Sequence, residues 1–307
     1  MIRGAIYGIT AAAIWGGMYV VSDAVLAVIP PFTLLSLRLI LGALILGVLL
    51  WQPQLRGKKT LPARDGILRL MGVGLVGFGI SVGAQFVGTD LSTAVNGSLV
   101  TSASPAFILI FAALLLRERL TAQRIAAVVL ATLGVLVIID LRQADFGSAT
   151  FQGDVALAVA AITWGLYSVL VRKVSAQTDT LVVTFFAFLG GLCLVLPAAG
   201  IELSRRTVGQ IDFGVILGIL YLGIVSTAAA MWLWNRAFAL VDASVASLFF
   251  FAQPLVGALL AAIFLNQPMT PAKWIGGGLI VAGVLLALYP VERLAARRMQ
   301  RQARESV

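Results

Sequence analysis

Two charged residues, Asp23 and Arg38, lie well inside long apolar runs. An ionised group in hydrocarbon is costly and is a functional hypothesis by default. The two flank the Pro30-Pro31 turn. At ~1.5 Å of rise per helical residue, each lies roughly 10 Å below that turn, close enough to pair. Asp23 there can take a proton or a substrate amine, and Arg38 can meet a carboxylate. A purely structural ion pair is the competing reading. The uncharged polar candidates are Gln85, Asn96, Thr101, Ser247 and Gln253. Facing a cavity they bind zwitterions or amides; facing a neighbouring helix they hydrogen-bond to it, worth ~0.6–2 kcal/mol each. The aromatic candidates are Trp15, Tyr19, Phe78, Trp164, Tyr167 and Phe251. Trp and Tyr usually mark the headgroup belt. Trp15 and Trp164 fall near mid-depth instead, where an indole packs on the adjacent glycine or walls a cavity.

Much chemistry is ruled out. The chain has no histidine, and its one cysteine, Cys193, lies in an apolar run. A disulfide within the chain is impossible, and the commonest proton shuttle and metal ligand is missing. No HExxH occurs, and Lys58, Lys59, Lys173 and Lys273 all sit at helix ends, where they cannot serve a buried Ser/Lys dyad. No metal, no cofactor and no enzymatic activity are expected.

These residues are positioned by lipid-length helices. Of 307 residues, 60% are hydrophobic and only 11% charged, with a mean hydropathy of +1.02. A soluble globule of this size cannot hide so much apolar surface. A bilayer core needs about 20 apolar residues per helix. Ten runs qualify, at 4–28, 32–51, 67–89, 92–116, 123–140, 153–171, 180–199, 214–235, 243–264 and 273–290. The net charge of +9 therefore speaks of topology rather than nucleic acid. With the N-terminus inside, 17 of the 22 Lys and Arg fall on the cytoplasmic side. Four (Arg142, Arg205, Arg206 and Lys273) fall outside, and Arg38 lies within a span. The positive-inside rule thus places both termini in the cytoplasm, in a bacterial inner membrane by expectation.

An offset of 149 superimposes the chain on itself. Trp15-Gly16 falls on Trp164-Gly165, Ala94 and Ser98 on Ala243 and Ser247, Pro105 on Pro254, and Gly134-Val135-Leu136 on Gly283-Val284-Leu285. Each half holds five helices. Five is odd, so the second half enters the membrane from the opposite side, an inverted repeat of the kind secondary transporters use. The expected fold is all-α integral membrane: ten spans in two inverted five-helix repeats, 1–141 and 150–290, and a basic cytoplasmic tail, 291–307. Pro105 and Pro254 are expected near the middle of their helices, as kinks and symmetric gating hinges.

The stretch from Pro105 through Leu116-Arg117-Glu118-Arg119-Leu120-Thr121 to Gly134-Val135-Leu136, with its second copy from Ala243-Ser244-Val245-Ala246-Ser247 through Pro254 to Gly283-Val284, resembles the repeat of the EamA family of the drug/metabolite transporter superfamily. Two departures are Asn266-Gln267-Pro268, where the second copy often has an acidic residue, and Ala127, where glycine is common. The resemblance implies alternating access through a central cavity and export of small metabolites. The branch it looks most like is the YddG-like amino-acid exporters. With no carboxylate near the midplane, transport driven by the substrate gradient is expected. The substrate is a neutral or zwitterionic metabolite, with amino acids, aromatic and hydrophobic ones included, ranked first. Sugars or nucleotide-linked phosphates rank second, because phosphate needs clustered buried cations and only Arg38 is available. A passive channel or membrane enzyme is the alternative of another class. The expected partners are the small-molecule substrate and the bilayer, with no nucleic acid; the chain is a monomer or an oligomer, which the sequence leaves open.

Overall fold

The computed structural model describes residues 1–52, 61–92, 100, 102–138, 147, 150–264 and 270–288, with only the backbone of Tyr19, Val20, Asp23, Ala261, Ala262 and Phe264. Asn96, Thr101 and the tail 291–307 lie outside the described residues, as do the side chains of Tyr19 and Asp23.

Every regular element among the described residues is helical. In chain order they are α1 (Ile2–Leu26), α2 (Pro31–Trp51), α3 (Arg64–Leu91), α4 (Ser104–Leu116), α5 (Ala122–Ile138), α6 (Phe151–Ser175), α7 (Thr180–Leu203), α8 (Phe213–Leu240), α9 (243–264) and α10 (Pro271–Leu288). The helix starts follow from local chemistry. Pro31 opens α2 at a position where a missing N–H is harmless. Asp179 and Asp212 cap α7 and α8, accepting from the N–H groups of Leu181 at 2.9 Å and Val215 at 2.8 Å. In α6, Asp154 sits in the first turn and Arg172 and Lys173 in the last, each matched to the helix dipole.

Three helices change pitch midway. α3 widens to a π-helix over Leu75–Val82 and α8 over Tyr221–Ala229. These stretches overlap when shifted by the repeat offset. α9 tightens to a 3-10 helix over Ser247–Phe251 before Ala252–Phe264. π turns and mid-helix 3-10 stretches recur at functional sites.

Ten spans of lipid length were expected; seven of the described helices, α2, α3 and α6–α10, are long and apolar enough to cross a membrane. Within its described residues α4 has 13 residues and α5 17. The expected mid-helix position of Pro105 is corrected. Residues 102–103 form a turn and the described α4 starts at Ser104, so Pro105 sits in its first turn, where the lack of an N–H costs nothing. The carbonyl of Ala103 is taken by the N–H groups of Ala106 and Phe107. Pro254 lies in the first turn of the α-helical part of α9, directly after the 3-10 stretch.

The two halves interlock by exchange. α1 packs on α8 and α9 of the other half, and α6 on α3 and α4. α2 meets the π turn of α8, and α7 the π turn of α3. The close contacts match as well. A Cβ on Gly16 would lie 2.7 Å from the Gln253 carbonyl oxygen and 3.0 Å from the Gly257 nitrogen; one on Gly165 would lie 2.8 Å from Phe107 Cβ and 3.1 Å from the Ile108 nitrogen. Ile108 and Gly257 are themselves 149 apart. α5 and α10 pair in a wing of their own, at whose edge Leu109, Leu248 and Phe251 form a separate apolar cluster.

Candidate functional site

The centre of the interface is aromatic. Trp15 of α1 and Trp164 of α6 meet edge to face, ring centroids 6.0 Å apart, and Trp234 of α8 lies 5.3 Å from Trp15 and 6.4 Å from Trp164. Trp164 continues to Tyr167 at 5.2 Å, and Tyr167 to Phe78 at 5.2 Å. All five rings are buried. Such pairings contribute about 0.5–1.5 kcal/mol each beyond area burial. The polar tips differ. Trp15 Nε1 donates to the Ser226 carbonyl at 3.0 Å. The Nε1 atoms of Trp164 and Trp234 are buried with no acceptor among the described residues. Tyr167 donates to Asn235 Oδ1 at 3.1 Å, Asn235 Nδ2 to Thr184 Oγ1 at 3.0 Å, and Thr184 to the Thr180 carbonyl at 2.7 Å.

Arg38 of α2 borders this centre. It is 7% exposed. Nε donates to Thr227 Oγ1 at 3.0 Å, and Nη2 to Met18 Sδ at 3.2 Å and Ser226 Oγ at 3.5 Å. Ser226 and Thr227 belong to the π turn of α8, where Thr227 Oγ1 also donates to the Leu222 carbonyl at 2.7 Å. Every bond of Arg38 among the described residues goes to a neutral group. The expected Asp23–Arg38 pair has one partner outside them.

Of the other expected residues, Gln253 is buried on α9, beside Gly16 of α1, the residue that follows Trp15. Ser247 is buried and donates to the Ser244 carbonyl of its own helix at 2.9 Å. Gln85 is half-buried on α3. Phe251 packs in the α4–α5–α10 cluster, away from the aromatic centre. The structure thus brings Trp15, Trp164, Tyr167, Phe78 and Arg38 into one contiguous set and leaves Phe251 out of it.

A second site lies at one end of the bundle. α4 ends on Arg117, in the left-handed region at φ 55°, and that turn aims Glu118 across the interface. Glu118 Oε1 accepts from the Ala243 N–H at 2.8 Å, and Oε2 from the Ser244 N–H at 3.1 Å and Ser244 Oγ at 2.7 Å. It therefore caps α9 from the other half, where four N–H groups and the positive end of the dipole need an anion. Arg172 Nε lies 3.3 Å from Glu118 Oε1 and its Nη2 3.1 Å from Asp242 Oδ1. Arg124 Nη2 lies 2.5 Å from Asp242 Oδ2 and its Nη1 3.7 Å from Glu118 Oε2. Two cations and two anions, charges balanced, tie α4–α5 to α6 and α8–α9. They line a polar recess of about 640 Å³.

At the opposite helix ends, Glu202 of α7 does the same for α2. Its Oε1 accepts from the Phe32 N–H at 3.1 Å, and Oε2 from the Thr33 N–H at 2.8 Å and Thr33 Oγ1 at 2.9 Å. Arg206 pairs with Asp90 at 2.8 Å, and this hydrogen bond, then the Asp90 charge, raises the Arg206 pKa. Sequence reasoning missed Glu118, Arg172, Asp242, Glu202 and Asn235 as site residues. The signal for Glu118 was present: its repeat equivalent is Gln267, so the charge exists in one half only.

The family model described as the EamA-like transporter family matches residues 2–140 and 151–289. An uncharacterized transporter of Archaeoglobus fulgidus is 27% identical over 277 residues, 89% of this chain and 93% of that one. The uncharacterized transporter YetK of Bacillus subtilis is 26% identical over 289 residues, 91% of this chain and 84% of that one. Protein PecM of Dickeya dadantii is 26% identical, covering 90% and 89%. A solved crystal structure, 24% identical, superposes with a TM-score of 0.79 over 93% of this chain and 98% of that one, which shows a shared fold.

Proposed function

The chain belongs to the EamA-like transporter family, and from that premise we propose that it is a secondary carrier. It exports small neutral or zwitterionic metabolites, amino acids with aromatic or hydrophobic side chains first among them, by alternating access. Ten membrane passes in two oppositely inserted halves are part of this reading. The observation that carries it is the interlock. Two repeats exchange α1 and α6 around an aromatic centre, and the pitch of the helices bordering that centre breaks at matching places. A carrier needs two packings of one interface, and π turns and a 3-10 stretch are the low-cost places for a helix to change course. The basic residues at helix ends support both termini facing the cytoplasm. The ring of Glu118, Arg124, Arg172 and Asp242 then closes the cytoplasmic end. Pro105 and Pro254 flank the moving segments as hinges. Lipid-facing apolar residues such as Leu44, Leu114 and Leu285 are exposed, as an integral membrane protein requires.

The test is counterflow in proteoliposomes. Labelled phenylalanine or leucine outside, with unlabelled amino acid trapped inside, accumulates transiently through a carrier and only equilibrates through a channel. Uptake of sugars or organic phosphates with no uptake of amino acids would overturn the substrate assignment. If Asn96→Ala and Gln253→Ala both leave export unchanged, these two polar residues are not part of the binding site.

A further inference from the structure

We propose that Arg38 is the anchor for a carboxylate of the transported molecule. This rests on the carrier reading above and names the chemistry of one end of its substrate.

The guanidinium is buried at the interface of the two halves, where a charge needs a counter-charge. Among the described residues it has none. Its acceptors are a threonine hydroxyl, a serine hydroxyl at 3.5 Å and a thioether at 3.2 Å. Sulfur is a weak acceptor and 3.5 Å is a long bond. Thr227 fixes Nε and leaves the Nη1–Nη2 edge with weak partners. That edge is a planar fork matched to a carboxylate.

Trp15 Nε1 donates to the Ser226 carbonyl. Trp164 and Trp234, in ring contact with Trp15, carry two buried N–H groups with no acceptor among the described residues. A buried cation, joined through Ser226 and Trp15 to two N–H groups that have no acceptor among the described residues, favours an anion.

The repeat supplies the control. At an offset of 149, Arg38 corresponds to Ala187, Met18 to Tyr167, Ser226 to Gly77 and Thr227 to Phe78. That equivalent place holds no charge: Ala187 is buried, Phe78 meets Phe188 edge to face with centroids 4.9 Å apart, the Tyr167 ring fills the space beside Gly77, and the Tyr167 hydroxyl is satisfied by Asn235. The fold is therefore satisfied by alanine at this position, and the scaffold alone does not call for Arg38.

Binding separates this site from transport itself. Purified protein in nanodiscs is titrated with 3-phenylpropionate, with its neutral amide 3-phenylpropanamide, and with phenethylamine, reading tryptophan fluorescence. The expected result is that the acid binds at least tenfold tighter than the amide, that Arg38→Gln makes the two equal, and that Arg38→Lys keeps part of the preference. Equal binding of acid and amide to the unmodified chain overturns the proposal, as does a preference that survives Arg38→Gln. Chloride displacing the acid at the acid's own concentration also overturns it, since the site then takes any anion. If Arg38→Gln does not fold, Thr227→Val replaces it. A fall of at least threefold in the acid-to-amide ratio supports the anchor, and an unchanged ratio overturns it. Carboxylate binding without counterflow rejects the carrier reading and keeps the site. Counterflow with no acid preference rejects the site alone.

Discussion

Trp15 and Trp164 stand 149 positions apart in the chain and touch edge to face at the centre of the molecule, planes at 75°. They are repeat equivalents with unequal bonding: Trp15 donates to the Ser226 carbonyl, and Trp164 has no acceptor among the described residues. Replacing each by phenylalanine removes the same atoms but different energies. Trp15→Phe loses a hydrogen bond, whereas Trp164→Phe removes an unsatisfied buried donor. Trp15→Phe is expected to be the less stable variant by about 1–3 kcal/mol. Thermal unfolding of the two proteins in the same detergent checks the order.

Glu118 carries both the cap of α9 and contacts to two arginines, at 9% side-chain exposure. Glu118→Gln leaves Asp242 as the one carboxylate among the described residues that pairs with Arg124 and Arg172. The pair is neither fully buried nor on the surface, so the Glu118–Arg172 coupling in a double-mutant cycle is expected at ~1–3 kcal/mol. A loss of about 1.4 kcal/mol is a tenfold shift in an opening equilibrium. In a Cys193→Ser background, a cysteine at Ala239, which lines the recess, should react with a charged thiol reagent roughly tenfold faster in Glu118→Gln. Unchanged labelling would show that the ring does not hold this end shut.

Arg117 is the one non-glycine residue at positive φ among those described. Its N–H bonds the Ala112 carbonyl, and so does that of Glu118 at 3.2 Å. The left-handed conformation costs an L-residue about 1–2 kcal/mol. Arg117→Gly should therefore keep the turn and raise the unfolding temperature, while a β-branched residue such as valine should lower it.

Gly72 and Gly74 sit two residues apart on α3 with opposite constraints. A Cβ on Gly72 would meet nothing within 4 Å; one on Gly74 would lie 1.8 Å from the Ala187 carbonyl oxygen. Gly72→Ala is expected to gain up to about 1 kcal/mol of helix propensity. Gly74→Ala must force α3 off α7, at a cost of about 3 kcal/mol or more. Yield and melting temperature of the two alanine variants test the contrast directly.

Several of these features were legible in the sequence. The offset of 149 was visible in Trp15-Gly16 and Trp164-Gly165, and it reappears in the contacts those glycines make. Arg38 stood out as a charge within a span. Its partners did not, because Ser226 and Thr227 face it through a π turn, and no hydropathy pattern announces a change from 3.6 residues per turn. The apolar run extends on both sides of Pro105, which points to a kink; the turn at 102–103 follows from backbone conformation, not from hydropathy. The charged ring was hidden for a different reason. Glu118, Arg124, Arg172 and Asp242 each look like ordinary loop charges, and only the exchange of halves brings their four segments together.

That exchange leaves α1 with its main neighbours, α8 and α9, all in the second repeat. A fragment ending after the first repeat would display a 25-residue helix whose apolar flank has nothing to lean on. Such a fragment is complete only when a second chain donates the missing neighbours. Co-synthesis of the two halves as separate polypeptides should therefore rebuild the whole molecule, where either alone would be cleared by the cell.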